Sequence, residues 1–131
     1  MAVIELNHYN LRAPLDLLDE LRDFYCKALE LNVGARPPFR NFGYWLYAGD
    51  RPLLHLSEAD AGEEHLRHVC GTFDHVAFTC RDFAGTRARL DRLGISYRLA
   101  DVPATRQRQV FFDDPAGNGI ELNFTLADAR S

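Results

Sequence analysis

Hydrophobic and polar residues alternate from Val3 to Leu11, which predicts a strand with Ile4, Leu6, His8 and Asn10 on one face. Ala13-Pro14 then opens a helix, because proline is tolerated in a first turn whose amides have no partner. Leu17, Leu21, Phe24 and Ala28 recur at helical spacing, with Leu18, Tyr25 and Leu29 beside them, and Asp16, Asp19, Glu20, Arg22, Asp23 and Lys27 form the wet side. Asn32 or Gly34 is the expected stop. After a Pro-Pro loop, Phe42 to Tyr47 and Leu53 to Ser57 read as two strands joined by Gly49-Asp50. A polar segment from about 59 to 71 reads as a linker.

Beyond the linker the order recurs. Phe73 to Cys80 is a strand, and Asp82 caps a helix carrying Phe83, Leu90 and Leu93 that Gly94 stops. Ile95 to Leu99, Gln109 to Phe112 and Gly119 to Phe124 are strands, with turn chemistry at Asp114-Pro115-Ala116-Gly117-Asn118. The two halves superpose on their polar landmarks, since His8 to His55 and His75 to Glu121 are nearly equal spacings. The expected fold is α+β: two βαβββ modules, about 3–58 and 72–126, within a single domain spanning 1–131. Their curved mixed sheet would carry helices on its outer face.

Strands expose alternate side chains on opposite faces. Leu54 and Leu56, Val76 and Phe78, and Ile120, Leu122 and Phe124 give three strands an apolar back, so His55, His75 and Glu121 fall on the more polar face. His8 belongs to the least regular strand. Four such residues at matched points of a repeat point to one divalent metal, because imidazole nitrogens and a carboxylate oxygen suit first-row ions. Fe(II), Ni(II), Zn(II) and Mn(II) all remain open. Glu121 and His55 are the candidates for moving a proton.

The remaining composition narrows the partners. The 131 residues are 47% hydrophobic and 26% charged, with a net charge of −4, an ordinary globular balance that argues against nucleic acid. No apolar run is long enough for a transmembrane helix, so no membrane partner is expected. Cys26, Cys70 and Cys80 form no CxxC pair and no closed disulfide set, which suits a reducing, cytoplasmic compartment. Cys80 is expected as a buried, inert thiol. Among residues that would touch a small-molecule substrate, Arg40, Tyr44 and Trp45 lie in an aromatic-rich stretch, and Arg108, or Arg106, precedes a strand. Tyr47 is a further possible proton donor, while His65 and His68 read as surface residues.

Leu6-Asn7-His8, Pro52-Leu53-Leu54-His55-Leu56, Phe73-Asp74-His75-Val76-Ala77-Phe78 and Asp114-Pro115-Ala116-Gly117-Asn118-Gly119-Ile120-Glu121-Leu122 together resemble the vicinal oxygen chelate superfamily. That superfamily includes glyoxalase I, extradiol dioxygenases, fosfomycin-resistance enzymes and bleomycin-resistance proteins. The resemblance runs from about Val3 to Phe124 and implies paired βαβββ modules around a metal, in a homodimer whose site is often built across the interface. His8, His75 and Glu121 match ligand positions found widely in the family. His55 stands where glyoxalase I has a glutamate, so only one carboxylate remains for proton shuttling. His8, His75 and Glu121 alone would form the two-His-one-carboxylate set suited to Fe(II) and oxygen. The resemblance thus implies a metal-dependent enzyme acting on a small oxygen-chelating molecule, with extradiol-type oxygenation favoured. Glyoxalase-like lyase or isomerase chemistry, and metal-free ligand sequestration of the bleomycin-resistance kind, are the alternatives.

Overall fold

A computed structural model describes residues 2–65, 67–68 and 71–129. The chain divides into two compact units, residues 1–66 and 67–131. Unit 1 runs β1 (Tyr9–Ala13), α1 (Leu15–Leu29), β2 (Asn32–Gly34), β3 (Gly43–Ala48) and β4 (Arg51–Glu58). Unit 2 runs β5 (His75–Thr79), α2 (Phe83–Arg92), β6 (Arg98–Val102), β7 (Gln107–Asp113), β8 (Gly119–Thr125) and α3 (Leu126–Ala129), with a 3-10 turn at Pro103–Thr105. Each unit therefore has the expected βαβββ order.

The sheets are mixed and topologically alike. Unit 1 is ordered β1-β4-β3-β2 and unit 2 β5-β8-β7-β6, with β1–β4 and β5–β8 parallel and every other pair antiparallel. In unit 1, Leu46, Leu54 and Leu56 are buried together with Leu17, Leu18, Leu21, Tyr25 and Ala28 of α1. In unit 2, Val110, Ile120, Leu122 and Phe124 are buried, and the Phe83 ring of α2 meets the Phe124 ring edge-on at 5.3 Å. Each of the buried leucine, isoleucine, valine and phenylalanine side chains contributes about 1.5–3 kcal/mol on leaving water. Because the apolar residues take one face of each sheet, alternation delivers the polar ones to the other.

Several boundaries differ from expectation. The first strand begins at Tyr9 rather than Val3, and Val3, Ile4 and Leu6 are exposed, so hydrophobicity there does not report core burial. Helix α1 ends at Leu29, where Glu30 takes a left-handed conformation (φ 58°), and neither Asn32 nor Gly34 stops it; both lie in β2. That three-residue strand is exposed throughout and carries no alternation to read. Strand β6 starts at Arg98 instead of Ile95, and Leu93 is exposed beyond the end of α2. Gly94, with φ 71°, does follow that end as expected. Among the described residues, no helix is long and apolar enough to cross a membrane.

Candidate functional site

Unit 1 assembles His8 and His55 through the β1–β4 pairing. Asn10 lies opposite His55 in register, and His8 sits two residues before Asn10, just ahead of β1. Strand β3 brings Trp45 opposite His55 on the other side. The three rings stack: Trp45 on His55 at 4.0 Å and 9°, and His55 on His8 at 3.8 Å and 16°.

His55 is only 8% exposed. Its Nε2 is buried and has no hydrogen-bond partner among the described residues. Burial, followed by the neighbouring His8 and Arg36, pulls the His55 pKa below its ordinary value and keeps the ring neutral. A buried ring nitrogen without a partner is costly unless something bonds or coordinates it.

In unit 2, β5 and β8 bring His75 and Glu121 together. His75 Nε2 lies 3.2 Å from Glu121 Oε1, and His75 Nδ1 bonds Asp74 Oδ2 at 2.6 Å. The Asp74 hydrogen bond first, then the Glu121 charge, raises the His75 pKa, offset in part by burial. Glu121 is 7% exposed, and its other oxygen, Oε2, accepts a short hydrogen bond from Asn123 Nδ2. Gly119 makes the close strand approach possible: a Cβ there would meet the Asp74 carbonyl at 2.4 Å and His75 Cβ at 3.0 Å. Phe111 faces Glu121 in register, as Trp45 faces His55, and meets His75 edge-on at 6.3 Å and 89°.

Each unit thus holds one pair of the four expected residues. Within either unit, among the described residues, no group of three or more His, Cys, Asp and Glu side chains is gathered to hold an ion. Imidazole nitrogens and a carboxylate oxygen are nevertheless donor types that suit a first-row divalent metal, and in unit 1 His55 Nε2 is a buried nitrogen without a hydrogen-bond partner among the described residues.

The expected substrate contacts divide. Trp45 lies on the His55 face, but Tyr44 points the other way, where its hydroxyl bonds Asp19 at 2.8 Å and Arg22 at 2.6 Å. Strand parity decides this, since Tyr44 pairs with buried Leu56. Arg108 likewise pairs with buried Phe124, sits over the Phe83 ring and is held by Asp101 at 2.7 Å. Neither placement suits a substrate contact on the ligand-bearing faces. Arg40 is an exposed loop residue, and the arginine whose charge reaches His55 is Arg36. Tyr47 donates to the Ala35 carbonyl at 2.6 Å. Arg106 is exposed in a left-handed conformation after the 3-10 turn.

His65 contacts Glu63 at 3.2 Å, and His68 donates its amide to Ala116. Cys26 and Cys80 are unpaired, Cys80 is half-buried with its thiol pushed up to about 11 by burial, and Cys70 lies outside the described residues.

Two contributing residues were legible but unread. Asn7 Oδ1 contacts His8 Nδ1 at 2.7 Å, just as Asp74 holds His75, so the residue before each of these histidines is its orienting partner.

Residues 5–122 match the Glyoxalase/Bleomycin resistance protein/Dioxygenase superfamily. The chain belongs to this superfamily. No curated protein matches by sequence. Among solved structures, a glyoxalase family protein from Bacillus anthracis is 19% identical with a TM-score of 0.72, covering 95% of this chain and 98% of that one. An antibiotic binding protein from a Streptomyces species is 20% identical (TM-score 0.68; 95% and 98% covered). A variant of the fosfomycin resistance protein FosX from Listeria monocytogenes, in complex with Mn(II) and a dihydroxypropylphosphonic acid, is 15% identical (TM-score 0.66; 99% and 97% covered). At these identities the likeness establishes the superfamily fold, and the chemistry rests on this chain's own residues.

Proposed function

We propose that the protein is a metal-dependent enzyme acting on a small organic molecule that chelates through neighbouring oxygens, with His8, His55, His75 and Glu121 as ligands of one divalent ion. The observation that carries this reading is His55 Nε2, buried and without a hydrogen-bond partner among the described residues, in a ring that burial disfavours in its charged form. Fe(II), Ni(II), Zn(II) and Mn(II) all suit three imidazoles and one carboxylate, and the FosX neighbour holds Mn(II). Such an ion, when bound, polarises substrate oxygens and lowers the pKa of bound hydroxyls.

The protein's own groups support extradiol-type oxygenation over glyoxalase-like isomerisation. Proton shuttling between adjacent carbons favours two carboxylates, and the His8–His55–Trp45 stack contains none. Glu121 is the buried acidic group on the Nε2 side of His75, and Asn123 and His75 each engage one of its oxygens. It orients a substrate hydroxyl and accepts its proton, while Trp45 and Phe111 wall the two pairs with planar apolar surface. The working form would be a cytoplasmic homodimer, with the exposed Val3, Ile4 and Leu6 available to a second copy.

Metal analysis after purification without chelator tests the reading, followed by oxygen uptake against a panel of catechols. At least one divalent ion should be retained or taken up. Less than about a tenth of an equivalent, with no uptake of any of the four ions, would overturn it. A second reading, metal-free sequestration of a planar small molecule, is favoured by the face-to-face packing of His8 on His55, which presents an aromatic surface. It predicts tight ligand binding unchanged by chelator.

A further inference from the structure

Resting on the assignment of the His75–Glu121 face as the substrate face, we infer that Arg98 is the residue that selects substrates carrying an oxyanion group, a carboxylate or a phosphonate, at the end remote from the chelating oxygens. Arg98, Phe111 and Glu121 form one register row across β6, β7 and β8, so alternation puts all three on the same face of the unit 2 sheet. Two strand spacings, about 10 Å, separate the backbones of Arg98 and Glu121. That separation suits a small ring whose diol and acidic substituent lie at opposite ends.

The guanidinium lies over the Phe111 ring, 4.4 Å from its centroid, and Phe111 in turn meets His75. Packing over an aromatic face restrains the group without using its N–H donors. Arg12, Arg22 and Arg108 each answer a carboxylate. Among the described residues, Arg98 makes no ion pair.

Arg98 also lines a cavity of about 430 Å³, bounded further by Asp74, Tyr97, Phe111, Asp113 and Gly119. Asp74 is engaged with His75. Asp113 shares the Phe111 face and opposes anions, so a ligand must place its charge at the guanidinium rather than be drawn in by a general positive field. A planar guanidinium with free donors matches carboxylate and phosphonate oxygens in bidentate fashion.

The test is calorimetric and independent of turnover. Mn(II)-loaded protein, kept anaerobic, is titrated with catechol, 3,4-dihydroxybenzoate, benzoate and phenylphosphonate. Dihydroxybenzoate should bind about tenfold more tightly than catechol, the scale of a hydrogen-bonded charge. Arg98→Leu should remove that gain and leave catechol unchanged, Arg98→Lys should keep part of it, and Asp113→Asn should increase it. The inference is overturned if the gain is absent or survives in the leucine variant. Benzoate and phenylphosphonate lack the diol, so if they bind in an Arg98-dependent way while catechol does not, Arg98 stands and the chelation reading falls. Failure of both anions and of dihydroxybenzoate to sense Arg98 removes the inference alone.

Discussion

Units 1 and 2 use the same strand order and place ligand-type side chains at matching points of it, yet they surround those side chains differently. In unit 1 two imidazoles stack beneath a tryptophan, and the buried one is kept neutral. In unit 2 an imidazole is drawn toward its protonated form by Asp74 and faces a carboxylate held by Asn123. One repeat therefore yields a nitrogen-only pair and a nitrogen–oxygen pair. The difference turns on one position in the β4/β8 pair, His55 against Glu121, and on the aromatic that register places beside it, Trp45 against Phe111. A duplicated module can thus diverge in chemistry while its backbone stays fixed.

The largest expected effect removes one member of each pair. Glu121→Ala eliminates the charged oxygen donor and should weaken Mn(II) or Ni(II) binding by more than about a hundredfold. His55→Ala should weaken it comparably if the nitrogen-only pair is a ligand pair, and by less than about threefold if His55 serves only to stack on Trp45. Titration calorimetry of both variants, alongside thermal unfolding to show that each folds, separates these roles. Equal, near-native affinity in the two would end the comparison as a statement about metal.

A smaller effect concerns the residues that orient the histidines. Asp74 offers His75 a charged acceptor, whereas Asn7 offers His8 a neutral one. A charge-assisted bond is roughly twice as strong as a neutral one. Asp74→Ala should therefore cost about tenfold or more in metal affinity, and Asn7→Ala only a few-fold. Asn7→Asp should tighten binding toward what Asp74 provides. The order of the two alanine effects, read by the same titration, is the outcome that matters; its reversal would mean that His75 and His8 are oriented by other contacts.

How much of this was legible follows from where the information lies. The backs of β4 and β8 were readable because Leu54, Leu56, Ile120, Leu122 and Phe124 alternate strictly, and that parity gave the faces of His55 and Glu121 without any structure. Strand β1 was harder: Val3, Ile4 and Leu6 are apolar yet exposed, so the pattern overran the true start at Tyr9. Tyr44 and Arg108 were placed by neighbourhood in sequence, and parity would have excluded them, since each pairs with a buried residue. Arg98 falls within the expected strand Ile95 to Leu99, but its register with Phe111 and Glu121 is set by long-range pairing that no local pattern displays. Orientation by Asn7 and Asp74 was in the repeat all along, one position before each histidine.

The smallest effect distinguishes how the two units secure the open ends of β1 and β5. In unit 2 the segment after β5 is tied, among the described residues, by carboxylate-to-amide bonds without an ion pair: Asp128 accepts from the amides of Asp82 and Phe83 at 3.1 and 2.9 Å. In unit 1 the corresponding end is tied by charge, with Arg12 reaching Asp60 at 3.2 Å and Glu63 through its Nε at 3.0 Å. The Arg12 hydrogen bond holds the Glu63 carboxyl at about 2, well below its ordinary 4.5. The folded state therefore binds that proton less readily than the unfolded chain does. Its contribution is fully present above about pH 4.5 and is lost as pH falls through about 2. Because the pair is exposed, the effect is small and salt-sensitive. Unfolding midpoints of the native protein and of Arg12→Met, measured from pH 5.5 down to about 2.5 at low salt, should converge as the pH drops. Carboxylates that do not touch Arg12 cancel in the difference, so parallel curves would show that the Arg12 pairs with Glu63 and Asp60 add nothing to stability at this end of unit 1.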